Sequence, residues 1–84
     1  MKYRSRTDIV ATILDAANGG ATKTRIMYKA YLSYAQLKEY LSVLTESGLL
    51  DYEEGELKYR TTEKGIRFMS TYDQIGQMVS QETK

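Results

Sequence analysis

Hydrophobic positions along this chain keep a helical period, drop to a period of two, and return to the helical one. From Thr7, the residues Ile9, Val10, Ile13, Leu14 and Ala17 share one helical face, which predicts a first helix. Ser5 or Thr7 caps its start, and Asn18-Gly19-Gly20 stops it. A short second helix follows Thr22, with Ile26, Met27 and Ala30 inward and Lys23, Arg25 and Lys29 outward. Only Tyr31 and Leu32 separate it from a third, over residues 33–47. Ser33 and Gln36 stand in the capping-box relation, and Leu32 and Leu37 can close over that cap. Leu37, Leu41 and Leu44 make one buried stripe, while Gly48 suits a left-handed stop with Leu49 folded back on Leu44. Turning about 100° per residue, Ala35, Lys38, Glu39, Ser42 and Glu46 face away from the leucines, flanked by Gln36 and Val43. Two helices so closely joined form a helix-turn-helix.

After Gly48, Leu50 and Tyr52 alternate with Asp51 and Glu53, and Leu57, Tyr59 and Thr61 alternate with Lys58 and Arg60. This predicts a hairpin. With Glu54-Gly55 as its loop, Tyr52 lies opposite Leu57, Asp51 neutralises Lys58, and Glu53 meets Glu56 as the one unfavourable pair. Arg60 is then left as the hairpin's free cation. A last helix over residues 62–79 carries a wide apolar surface, and the residues beyond Val79 read as frayed. Ile66 and Met69 serve the core, whereas Phe68, Tyr72, Ile75 and Val79 recur as a heptad seam. Gly65, in its first turn, costs about 1 kcal/mol against alanine, offset by close packing on the hairpin. With a short extra strand near Ala21, the order is that of a single winged helix-turn-helix domain over residues 1–84, mainly α with a β-hairpin.

Composition narrows the chemistry. Cysteine and histidine are absent from the 84 residues, which removes disulfides, thiolate or imidazole metal sites and the usual nucleophile–base pairs. Neither a glycine-rich phosphate loop nor a paired-carboxylate cleft can be read. The expectation is a protein that is not an enzyme and uses no cofactor, metal or small-molecule substrate. No apolar run reaches the roughly 18 residues of a membrane span, and no signal-peptide core opens the chain, so a soluble cytoplasmic protein is expected. Net charge is only +1, but it is unevenly spread. Lys2, Arg4, Arg6, Lys23, Arg25, Lys29 and Lys38 make the first half basic, and the second half is acidic.

Three runs carry a family resemblance: Gly20-Ala21-Thr22-Lys23-Thr24-Arg25-Ile26-Met27-Tyr28-Lys29-Ala30, Leu32-Ser33-Tyr34-Ala35-Gln36-Leu37-Lys38-Glu39-Tyr40-Leu41, and Ser47-Gly48-Leu49-Leu50. With Tyr59-Arg60-Thr61-Thr62-Glu63-Lys64-Gly65, they closely resemble the small archaeal winged-helix DNA-binding proteins of the Sulfolobus 10 kDa type. The resemblance spans roughly residues 7–75. It implies double-stranded DNA binding, in transcription regulation or in a nucleoid-associated chromatin role, by homodimers joined through an antiparallel coiled coil of their last helices. Residues 33–47 become the recognition helix, 51–60 the wing and 62–79 the dimer arm, with Phe68, Tyr72, Ile75 and Val79 at the interface. The arm is shorter than that family's long coiled coil, and the wing is acidic.

Such a helix enters the major groove N-terminus first, which positions Ser33, Tyr34, Gln36, Lys38 and Ser42 to meet bases or phosphates. Gln36 can read adenine, and Lys38 can reach a guanine edge or a phosphate. The plainer reading is that Ser33 and Gln36 only cap the helix. Lys23, Arg25, Lys29 and Arg60 suit backbone phosphates, and Arg4 and Arg6 suit a flexible arm. Tyr28, Tyr31, Tyr34 and Tyr40 read as partly packed rings with wet hydroxyls, Tyr34 being set apart by its place at the helix entrance. Asp51, Glu53, Glu54 and Glu56 repel phosphate, so the alternative is a protein–protein interaction module on the same scaffold.

Overall fold

The computed structural model describes residues 5–82, with side chains described as far as Ile75. The chain forms α1 (Arg6–Ala17), α2 (Lys23–Ala30), α3 (Tyr34–Glu46), β1 (Leu50–Glu53), β2 (Lys58–Thr61) and α4 (Glu63–Glu82). This is the winged helix-turn-helix order that the hydrophobic pattern predicts. Ile13, Leu14 and Ala17 of α1, Ile26 and Ala30 of α2, and Leu37, Leu41 and Leu44 of α3 close one core with Leu32 and Leu50. No helix among the described residues is long and apolar enough to cross a membrane.

Local chemistry sets the ends of each helix. Ser5, rather than Thr7, caps α1: its hydroxyl accepts from the Asp8 N–H at 3.0 Å, and the Asp8 carboxylate accepts from the Ser5 N–H at 3.1 Å. Arg6 therefore belongs to the first turn of α1 and not to an arm, while Arg4 lies outside the described residues. At α3 the Ser33 hydroxyl accepts from the Gln36 N–H, and the Gln36 side-chain carbonyl accepts from the Ser33 N–H. At the far end Gly48 sits at φ +81°, and the Leu49 N–H reaches back to the Leu44 carbonyl at 2.9 Å. The turn between α2 and α3 uses the same device on Tyr31, at φ +55°, with the Leu32 N–H bonded to the Met27 carbonyl at 3.2 Å.

The hairpin register differs from the predicted one by two residues. Tyr52 pairs with Tyr59 instead of Leu57, Asp51 with Arg60 instead of Lys58, and Glu53 with Lys58 instead of Glu56. Residues 54–57 form the loop, with Leu57 at φ +55°. A two-residue loop would need Glu54 at positive φ (type I′) or glycine in its place (type II′). The longer loop replaces the Glu53–Glu56 repulsion with an opposite-charge pair and brings the Tyr52 and Tyr59 rings to 4.8 Å. Because the slip is two residues, every side chain keeps its face. Ala21 adds the expected third strand as a single bridge, exchanging backbone bonds of 2.9 and 2.8 Å with Tyr59.

Gly65 sets the rotation of α4. A Cβ there would meet the Leu49 carbonyl oxygen and Thr61 Cγ2, each at 2.6 Å, so only glycine lets the helix approach the hairpin this closely. With residue 65 inward, Phe68, Met69 and Tyr72 follow at helical spacing. Phe68 and Met69 pack against the core, and the Tyr72 hydroxyl donates to Asp8 Oδ1. Ile66 is thereby turned outward, 45% exposed, which corrects its assignment to the core. Phe68 and Tyr72 spend part of their surface inside their own domain, Ile75 stays 54% exposed, and the side chain of Val79 lies outside the described residues. Thr62 ties the start of α4 to the end of α3: its hydroxyl accepts from the Gly65 N–H and donates to the Gly48 carbonyl.

Candidate nucleic-acid interface

Rotation of α3 follows from its leucines. Burying Leu37, Leu41 and Leu44 leaves Tyr34, Ala35, Gln36, Lys38, Glu39 and Ser42 exposed, covered neither by the hairpin nor by the described part of α4. Lys38 Nζ lies 5.7 Å from the centroid of the Tyr34 ring. Lys23, the first residue of α2, reaches the same ring at the same 5.7 Å. Two helices thus place their cations around one aromatic at the entrance of α3. Leu41, Ser42, Thr45, Glu46 and Tyr59 continue this surface into an open depression of about 400 Å³.

The three basic residues of α2 do not act as one face. Arg25 and Lys29 line a separate depression with Asp15, Asn18, Thr22 and Lys58. Beside it the α1–α2 turn comes close to β2: a Cβ on Gly20 would stand 3.3 Å from Arg60 Nη2 and 3.7 Å from Lys58 Cδ. Lys58 and Tyr59 were not among the predicted site residues. A two-residue loop pairs Lys58 with Asp51, and Tyr59 joins the site only through the contact between the sheet and α3.

Arg60 is not a free cation. Its Nε donates to Glu53 Oε2 at 2.9 Å and its Nη2 to Glu53 Oε1 at 3.3 Å. That hydrogen-bonded guanidinium holds the Glu53 carboxyl below the usual carboxylate range, and the carboxylate in turn raises Arg60. Gln36 is also committed in part, because its carbonyl oxygen serves the cap and leaves the amide N–H₂ for other partners. The tyrosines correct the sequence reading. Tyr40 packs against the core, but Tyr28, Tyr31 and Tyr34 are exposed, Tyr31 by 83% and Tyr34 by 55%.

A profile of winged helix-turn-helix proteins matches residues 3–80, nearly the whole chain. The chain belongs to the winged helix-turn-helix family. Among solved structures it is similar to Sso10a-2, described as a DNA-binding protein from Sulfolobus solfataricus. The two superpose with a TM-score of 0.84 at 23% identity, over 95% of this chain and 86% of that one. No curated protein sequence matches it.

In this winged helix-turn-helix domain α3 is the second helix of the motif and β1–β2 is the wing. The wing's tip and outer face are dominated by acid: Asp51, Glu54 and Glu56 are exposed, and Glu53 engages Arg60. Cationic surface is instead gathered on either side of α2, around Tyr34 and around Lys58.

Proposed function

We propose that this winged helix-turn-helix protein binds double-stranded DNA with little dependence on sequence, α3 lying in the major groove. The convergence of Lys23 and Lys38 on Tyr34 carries the reading, because it sets two mobile ammoniums at the groove-entering end of an uncovered helix. Ser33 and Ser42 offer hydroxyls beside them, and the Gln36 amide offers a donor. Arg25, Lys29 and Lys58 grip the flanking backbone strand from their own depression. Arg60 contributes only after leaving Glu53. Low sequence selectivity follows from the lack of an arginine on α3 for guanine and from the partial commitment of Gln36 to its cap.

The DNA-binding description of Sso10a-2 supports the same reading. We further infer a homodimer, joined through α4, because Ile75 leaves a large apolar side chain in solvent on the flank that Phe68 begins. A cytoplasmic, nucleoid-associated or transcription-regulating role in an archaeon is the setting these properties suit. Fluorescence anisotropy with random-sequence duplex tests the binding. The affinity should fall steeply with salt, and Lys23→Glu should weaken every sequence alike.

A protein–protein interaction module is the second reading, favoured by the exposed acids of the wing and by Leu57, 66% exposed at its tip. Retention of a partner by the free protein, with no duplex binding at low salt, would select it.

A further inference from the structure

We infer that the depression beside Tyr34 is a site for an unpaired nucleotide, so that the protein also binds single-stranded nucleic acid. The site overlaps the proposed duplex face but does not depend on it. Base pairs in a duplex turn their faces to one another, and a protruding tyrosine has nothing there to stack on. Tyr34 nevertheless projects a half-exposed ring, and its neighbours are those an unpaired nucleotide requires. Lys23 and Lys38 bring ammoniums from two different helices to within 5.7 Å of the ring centroid. Leu41 and the half-buried Tyr59 provide apolar lining, and Ser42, Thr45 and Glu46 set hydroxyls and a carboxylate along the wall. The open space, about 400 Å³, admits a nucleobase.

The lysines do not block the stack. An exposed cation–π contact is weak beside a charge-assisted bond to phosphate, so an arriving strand draws each ammonium from the ring to its own backbone and uncovers the face. Two cations brought to one ring from two different helices suit two successive phosphates. That favours a strand over a free mononucleotide. Stacking on a tyrosine is indifferent to which base arrives, so the site tolerates sequence.

Anisotropy titrations of the full chain with a short oligothymidylate, an oligouridylate and a duplex of equal length test the inference at low salt. The wild type should bind the single strands. Tyr34→Leu should weaken them by about tenfold, the loss of one stacked base. Tyr34→Phe keeps the ring and should stay within about twofold, and Tyr34→Leu should weaken the single strands at least about threefold more than it weakens the duplex. Because Tyr34 is exposed at the first position of α3, both variants should keep the wild-type circular dichroism. Equal loss on strand and duplex, or no loss in Tyr34→Leu, would overturn the assignment. A wild type that binds duplex but no single strand overturns this site alone, whereas one that binds neither overturns the duplex reading as well. Equal competition by thymidine monophosphate would overturn the choice of a strand as ligand.

Discussion

Single residues decide how closely the parts of this domain approach. Gly65 has no room for a methyl group, since the obstructing atoms include a backbone carbonyl. Gly65→Ala should therefore lower stability by about 2 kcal/mol in urea unfolding, as overpacking does. Gly55→Ala, with nothing within 4 Å of the added carbon and no positive φ, should be nearly neutral. Tyr72 makes a different prediction. Its bond to the Asp8 carboxylate, with burial and the nearby negative charges adding to it, raises its pKa above the ordinary tyrosine range. The stabilisation is complete below about pH 10, the unfolded value, and is lost as pH rises through the raised folded value. Unfolding midpoints measured across the alkaline range should fall for the wild type and flatten in Tyr72→Phe. Caps were readable from the chain because they join residues three apart: Ser33 and Gln36 bond as predicted, and Ser5, one of the two candidates, caps α1 through a partner, Asp8, that the structure supplies. The division of α2's cations was not readable, since Lys23 turns toward a ring on another helix.

At the scale of elements, the helices were legible and the hairpin's pairing was not. Leucines at helical spacing admit one rotation of α3, and Ser33→Ala should cost about 1 kcal/mol through the lost cap. In the hairpin, alternation fixes which face each residue takes but is blind to a slip of two. Turn chemistry and the Glu53–Arg60 pair make that choice, across a separation that periodicity does not see. Being exposed, the pair adds little to stability, and what it adds is present above the ordinary carboxylate range and fades as pH drops through the lowered Glu53 value. Glu53→Gln should leave the urea midpoint almost unchanged while releasing Arg60. If the wing lies near the duplex, that variant should raise DNA affinity about twofold at low salt. The outward turn of Ile66 has a different origin: a close approach between Gly65 and the hairpin overrides the apolar pattern of α4 itself.

On the scale of the whole molecule, a chain with a net charge of only +1 has little general attraction for DNA and must rely on where its cations stand. They stand on both sides of α2, around Tyr34 and around Lys58, while the acids gather on the wing. Sedimentation should give a dimer mass, lost when Ile75 is replaced by a charged residue. The central claim is that α3 and its flanking lysines meet the phosphates of a duplex, and the salt dependence of duplex affinity tests it most directly. Contacts from Lys23, Lys38, Arg25, Lys29 and Lys58 predict a log–log slope of about −4.5 per protomer, and Lys23→Ala should make it shallower by about one. A flat response to salt, or a slope unmoved by losing Lys23, would contradict the account.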